Sequence, residues 1–219
     1  MFRVLDFKYD QYDDNIVLVG LPKSGKTHAL KKLIIPALKG NSWIWYPEQR
    51  DDRLPDFVRS EGWQVVRDIG QLKYGRGLIY PRDRSIDEFE RFCERANNLS
   101  NLTLVVDEAE YYVGKYKIRS PSFAQIVNGG RPRGVCWVVI ARRPQQLHND
   151  ILHGATHVFC FAFDLPGDVE FMSKWVGPQV WGFLPPDQRK TAYRSLPTLP
   201  QHAFVYYNKD TNYRGVARL

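Results

Sequence analysis

The stretch Gly20-Leu21-Pro22-Lys23-Ser24-Gly25-Lys26-Thr27 constrains this chain more than any other, because it follows the apolar run Ile16-Val17-Leu18-Val19 and opens a segment with helical spacing. A strand, then G-x-x-x-x-G-K-[ST], then a helix is the sequence context of a P-loop. Gly20 and Gly25 free the backbone to wrap a phosphate, and the N–H groups released at a helix start cradle the anion. Pro22, Lys23, Ser24 and His28 complete the predicted cradle. Lys26 is placed to reach the β- and γ-phosphates and Thr27 to hold Mg²⁺ through its hydroxyl. The predicted ligand is ATP with Mg²⁺. A glycine turn with an incidental lysine is the alternative, and it leaves unexplained the acidic pair found further along.

Strand and helix patterns alternate along the chain, which predicts an α/β fold with a central, mostly parallel sheet flanked by helices. Leu30, Leu33, Ile34 and Leu38 recur at helical spacing after Thr27, with Pro36 expected to kink or end that helix. Ser42 to Tyr46 reads as a strand closed by Pro47, and Gly77 to Tyr80 as another closed by Pro81. Ser85 and Glu88 form a capping box for a helix from Ile86 to Ala96. Val135 to Ile140 and Val158 to Phe163 read as buried strands, with helices expected from Pro121 to Asn128 and from Gln145 to Ala155. Residues 1–14 are expected to form a flap or edge strand, and a hairpin, Ala203 to Tyr207 with Tyr213 to Ala217, is expected to close the chain.

The run Leu102-Thr103-Leu104-Val105-Val106 ending in Asp107-Glu108 is a Walker B pattern. Such an aspartate, at the end of a buried strand, holds the Mg²⁺ shell. Glu108 stands where a general base could polarise the attacking water. An acidic pair of this kind favours hydrolysis of ATP over phosphoryl transfer to a small molecule. The bland alternative is an ordinary strand ending in solvated acids.

At 219 residues the chain is expected to be a single domain with a core over about 15–175 and a C-terminal extension over about 176–219. Its net charge of +7 suggests a polyanionic partner, and the surplus is uneven. Residues 1–100 carry 17 Lys and Arg against 15 Asp and Glu, and the rest carry 14 against 9, so most of it lies in the second half. Three cysteines, Cys93, Cys136 and Cys160, lack C-x-x-C spacing and read as reduced core residues. Neither a signal peptide nor a transmembrane segment is expected, which points to the cytosol or a particle assembled there.

After the acidic pair come the basic glycine loop Gly129-Gly130-Arg131-Pro132-Arg133-Gly134, a buried strand, and Arg142-Arg143-Pro144 leading to Asp150-Ile151-Leu152. This order, over roughly residues 15–175, resembles the HerA/FtsK superfamily of DNA-pumping ATPases, and within it the genome-packaging ATPases of internal-membrane icosahedral viruses. The resemblance implies a RecA/FtsK-like P-loop NTPase that translocates double-stranded DNA into a preformed capsid. It also implies a homo-oligomeric ring, a hexamer or pentamer, docked at a capsid vertex or on a membrane protein. An arginine of the loop before the sensor strand reaches a neighbour's nucleotide in that family; Arg131 fits best by position and Arg133 second. That loop could equally touch DNA phosphates. The family commonly has Gln where this chain has Arg142, which departs from the pattern; Arg142 would either read the γ-phosphate as a cation or be a surface arginine at a strand end. A secretion or conjugation-type assembly ATPase would share every motif, and a P-loop small-molecule kinase is the remaining alternative.

The segment Tyr111 to Arg119 interleaves Lys115, Lys117 and Arg119 with Tyr111, Tyr112 and Tyr116. It is a candidate DNA-backbone contact without base-reading chemistry, or else a loop whose tyrosines pack on the core. His153 and His157 are four apart, but a helix-to-strand change between them argues against a shared metal. The aromatic tail, including Trp175, Trp181, Phe183, Tyr206 and Tyr207, reads as core or subunit contact.

Overall fold

The fold was obtained as a computed structural model, which describes residues 7–47, 53–163, 165–176 and 203–219. The strands are β1 (Ile16–Val19), β2 (Asn41–Trp45), β3 (Gln64–Val66), β4 (Arg76–Ile79), β5 (Leu102–Val106), β6 (Val113–Gly114), β7 (Lys117–Ile118), β8 (Val135–Ala141), β9 (His157–Cys160), β10 (Ala203–Asn208) and β11 (Tyr213–Arg218). The α-helices are α1 (Lys26–Ala29), α2 (Ile35–Ala37), α3 (Arg53–Ser60), α4 (Ile86–Asn97), α5 (Pro121–Gly129), α6 (Asn149–Gly154) and α7 (Pro166–Val176).

Nine strands form one sheet in the order β11-β10-β9-β1-β8-β5-β2-β4-β3. From β9 to β3 every pairing is parallel. The expected C-terminal hairpin extends the same sheet antiparallel, β10 pairing with β9 and β11. Period-two alternation divides the side chains between two cores. Val17 and Val19 pack with Trp45, Phe89, Phe123 and Ile151 on the face covered by α4 to α7. Ile16 and Leu18 pack with Leu30, Leu54 and Val58 on the face covered by α1 to α3. Strands buried on both faces are uniformly apolar, which explains why IVLV and LTLVV show no polar alternation.

Ser85 caps α4, its hydroxyl accepting from the Glu88 N–H at 3.1 Å. Glu90 of α4 then accepts from the Ser120 and Ser122 hydroxyls, joining α4 to the start of α5. All three cysteines are free and buried. Among the described residues no helix is long and apolar enough to cross a membrane.

Several boundaries differ from the sequence reading. The helix after the P-loop ends at Ala37, one residue past Pro36, and its middle, Leu30–Ile34, is a π turn that periodicity alone does not reveal. The helix expected over 145–155 is a 3₁₀ turn, Pro144–Gln146, followed by the shorter α6. The break falls at His148, which is extended and whose ring Nδ1 accepts from the Asp150 N–H at 3.3 Å. β9 ends at Cys160 rather than Phe163. Of the flap or edge strand expected over 1–14, residues 1–6 lie outside the described residues, and 7–14 form no strand but lie against the sheet, where the Tyr9 and Thr103 hydroxyls meet at 3.2 Å. Trp181 and Phe183 lie outside the described residues.

Candidate nucleotide site

The parallel strands β1, β8, β5, β2 and β4 all end at the same side of the sheet, where open α/β sheets bind ligands. β8 lies between β1 and β5 in register, Val19 beside Ala141 and Val106 beside Val139. The P-loop and the acidic pair therefore face each other across one intervening strand, about 10 Å apart at ordinary strand spacing. The residue that follows that strand is Arg142. A cleft of about 620 Å³ opens there, walled by Pro22, Lys23, Gly25, Lys26, Thr27 and His28 on one side and by Asp107, Glu108 and residues 140–142 on the other.

Gly20 has φ 149°, and a Cβ on it would lie 2.6 Å from the Phe161 Cβ, so only glycine fits where the loop leaves β1. The loop is tied down by the Gly20 N–H donating to the Ala141 carbonyl at 3.2 Å and the Leu21 N–H to that of Ala162 at 2.9 Å. Lys26 is buried, and its ammonium donates to the carbonyls of Gly20 and Leu21 at 2.6 and 2.7 Å. Burial lowers its pKa to about 8 against the pull of Asp107 and Glu110. The Ser24 hydroxyl is buried without a protein partner. A buried orphan hydroxyl, a captive ammonium and a glycine cradle together fit a phosphate group.

On the opposite wall, Asp107 is fixed by its N–H donating to the Trp45 carbonyl at 3.1 Å, and its Oδ1 accepts from the Glu108 N–H at 3.0 Å. Burial raises its pKa to about 7 against the hydrogen bond from the Glu108 N–H and the charge of Lys26, with the Glu108 carboxylate adding to the rise. One carboxylate oxygen of Asp107 and the Thr27 hydroxyl supply hard oxygen donors suited to Mg²⁺, which takes few protein ligands and keeps phosphate and water oxygens. Glu108 is a non-glycine residue in the left-handed region, φ 50° and ψ 41°. Strain of this sort gathers at functional sites.

Glu108 pairs with Arg142 and, at 3.3 Å, with Arg84. Arg142 is thus a member of the cleft rather than a stray surface cation. The sequence reading missed Glu110, which the 3₁₀ turn Ala109–Tyr111 brings back beside Arg142. Its Oε1 accepts from the Arg142 N–H at 3.2 Å, its other oxygen is buried without a partner, and burial raises its pKa. Lys31, Tyr46 and Arg53 also line the cleft and were missed. Lys31 follows Thr27 by four residues, a helical spacing that points back at the same wall.

Arg131 and Arg133 lie in a 3₁₀ turn before β8, at the opposite end of the sheet from their own cleft. Arg131 donates to the Thr156 hydroxyl at 2.9 Å and lies 3.8 Å from Asp13; Arg133 donates to the Asn97 carbonyl at 2.7 Å. Lys115, Lys117 and Arg119 are exposed on the small antiparallel hairpin β6–β7, just after the acidic pair. Its tyrosines divide: Tyr112 is buried, Tyr111 is half exposed, and Tyr116 at the tip is 87% exposed. His153 packs edge-on against Trp175, whereas His157 lies between Asp14, at 3.0 Å, and the Tyr206 hydroxyl, at 2.7 Å.

Fold and cleft together define a P-loop NTPase. No family model matches the sequence, and no curated protein is similar to it. Solved structures do match. The genome packaging NTPase B204 from Sulfolobus turreted icosahedral virus 2, in complex with ATP-gammaS, has a TM-score of 0.74 at 20% identity, over 94% of this chain and 98% of that one. B204, the DNA-packaging ATPase from Sulfolobus turreted icosahedral virus, gives 0.71 at 21% identity, over 94% and 97%. The cytoplasmic domain of the Thermomonospora curvata type VII secretion ATPase EccC gives 0.58 at 13% identity, over 95% of this chain and 24% of that one. The chain therefore has the fold shared by these viral packaging NTPases and the secretion ATPase, the fold expected from its HerA/FtsK resemblance.

Proposed function

We propose that this chain is an ATP-driven translocase of double-stranded DNA, packaging a viral genome into a preformed capsid as a homo-oligomeric ring. The observation that carries the reading is the meeting of the Gly20–Thr27 loop and the Asp107-Glu108 pair across one cleft, with a cation, Arg142, between them. The loop N–H groups, Ser24 and Lys26 hold the β- and γ-phosphates. Thr27 and Asp107 would hold Mg²⁺, which supplies charge neutralisation at the transferring phosphoryl group. Glu108 orients the attacking water and receives its proton. Arg142 meets the negative charge that develops on the γ-phosphate.

Arg131 and Arg133, remote from their own cleft, serve a neighbour's site, which is why the active form is a ring. The exposed basic hairpin β6–β7 carries the DNA backbone contact; its place directly after Glu108 couples it to hydrolysis. The surplus basic charge and the fold shared with a DNA-packaging ATPase support the same substrate.

The test is phosphate release from Mg·ATP as a function of protein concentration, with and without duplex DNA. Stimulation by DNA together with a steep concentration dependence is expected. Hydrolysis that ignores both would reject the ring translocase. The fold shared with the EccC ATPase favours a second reading, an assembly or secretion ATPase, whose mark would be activity that depends on concentration but not on DNA.

A further inference from the structure

The Glu108 carboxylate is held from two sides by cations of different origin. Its Oε1 accepts from the Arg142 guanidinium, and its Oε2 accepts from the Arg84 Nη1 at 3.3 Å. The Glu108 side chain is only 19% exposed, so these two contacts rather than bulk water set where it points. Arg142 follows β8 and lines the cleft. Arg84 precedes the α4 cap Ser85, beyond the end of β4, two strands from the one that carries Glu108. It is outside the cleft lining, and its side chain is 43% exposed.

The two contacts answer to different events. A γ-phosphate gripped by Lys26 sits where Arg142 can reach it, and its multiple charge and oxygens compete well against one carboxylate for that guanidinium. Arg84 is not among the residues that line the cleft and face the phosphate, and it stays on Glu108. A general base works only with a carboxylate oxygen about 2.6–3.2 Å from the proton that it takes. Arg84 draws Oε2 toward β4, away from the phosphate wall, and the left-handed backbone of Glu108 stores strain that favours a change of conformation once the contact opens.

We propose that Arg84 is a positioning residue that restrains Glu108, and that opening of the Arg84–Glu108 pair sets the rate of hydrolysis. A polyanion laid over this surface is the agent suited to open it, because phosphates draw an exposed guanidinium outward. The inference rests on Glu108 being the base, as read above.

The experiment compares kcat and KM for Mg·ATP in the wild type, Arg84→Ala and Arg84→Lys, with and without duplex DNA, alongside thermal melts and nucleotide binding to verify folding. An ion pair of this exposure corresponds to a factor of about five. Arg84→Ala is expected to raise the DNA-free kcat by about that factor, with KM within about twofold and with a smaller stimulation by DNA. Arg84→Lys, which keeps the cation, is expected to stay near the wild type. A folded, nucleotide-binding Arg84→Ala protein whose DNA-free kcat equals or falls below the wild type would overturn the proposal. Failure of the underlying reading looks different: Glu108→Gln would then turn over like the wild type.

Discussion

Replacing Asp107 by Asn should make the protein more stable and less able to bind its nucleotide, with a pH dependence that identifies the cause. Burial between β5 and the P-loop pushes the Asp107 pKa up to about 7 from an ordinary 3.8. A carboxyl with a raised folded value takes up a proton on folding, so its contribution to stability falls as the pH rises from about 4 to 7 and is flat above. At about 1.4 kcal/mol for each pH unit, the interval corresponds to about 4 kcal/mol, which water entering the open cleft reduces to about 2 kcal/mol. The amide that replaces the carboxylate has the same shape and no charge to desolvate. At pH 8, Asp107→Asn should therefore melt about 4–8 °C above the wild type, and the gain should shrink toward zero near pH 4. The variant should lose metal-dependent affinity for ATP by at least about tenfold, since an amide is a weak Mg²⁺ ligand. Scanning calorimetry at pH 8 and pH 4.5, with isothermal titration of Mg·ATP, checks both halves. An Asp107→Asn protein no more stable than the wild type at pH 8, or equally stabilised at both pH values, would refute the desolvation argument.

Two further variants test the assignments at the remote end of the sheet and on the hairpin. Arg131→Ala is expected to lower turnover about a thousandfold or more while leaving ATP affinity intact, and an equal mixture of Arg131→Ala and Glu108→Gln proteins should regain part of the rate, because one site can then join a sound Glu108 to a neighbour's sound Arg131. A wild-type rate in Arg131→Ala removes it as the trans arginine. Replacing Lys115, Lys117 and Arg119 together by Ala should reduce the slope of log affinity for duplex DNA against log salt by about 3, equally for any sequence. An unchanged slope would take the hairpin out of the interface.

The parts of the site that could be read from the sequence are those whose chemistry is local. The Gly20–Thr27 loop and the Asp107-Glu108 pair each lie within a few residues of one strand end, and a buried parallel strand announces itself as an apolar run. What escaped was assembled by crossover connections. Arg84 and Glu108 are 24 residues apart, and their meeting depends on β2 lying between β4 and β5. Arg142 meets Glu110 because β8 inserts between β1 and β5. Lys31 carried a weak local clue, its helical spacing from Thr27, while Tyr46 and Arg53 carried none. The π turn at Leu30–Ile34 and the break at His148 escaped for another reason: apolar periodicity reports a helical face but not a change of pitch or a side-chain cap at its middle.

The most direct test of the account is phosphate release by Glu108→Gln beside the wild type at saturating Mg·ATP, with nucleotide affinity measured on the same samples. The account predicts wild-type turnover, and a variant that binds ATP as tightly yet hydrolyses it at least about a hundredfold more slowly. A Glu108→Gln protein that releases phosphate at the wild-type rate would contradict it.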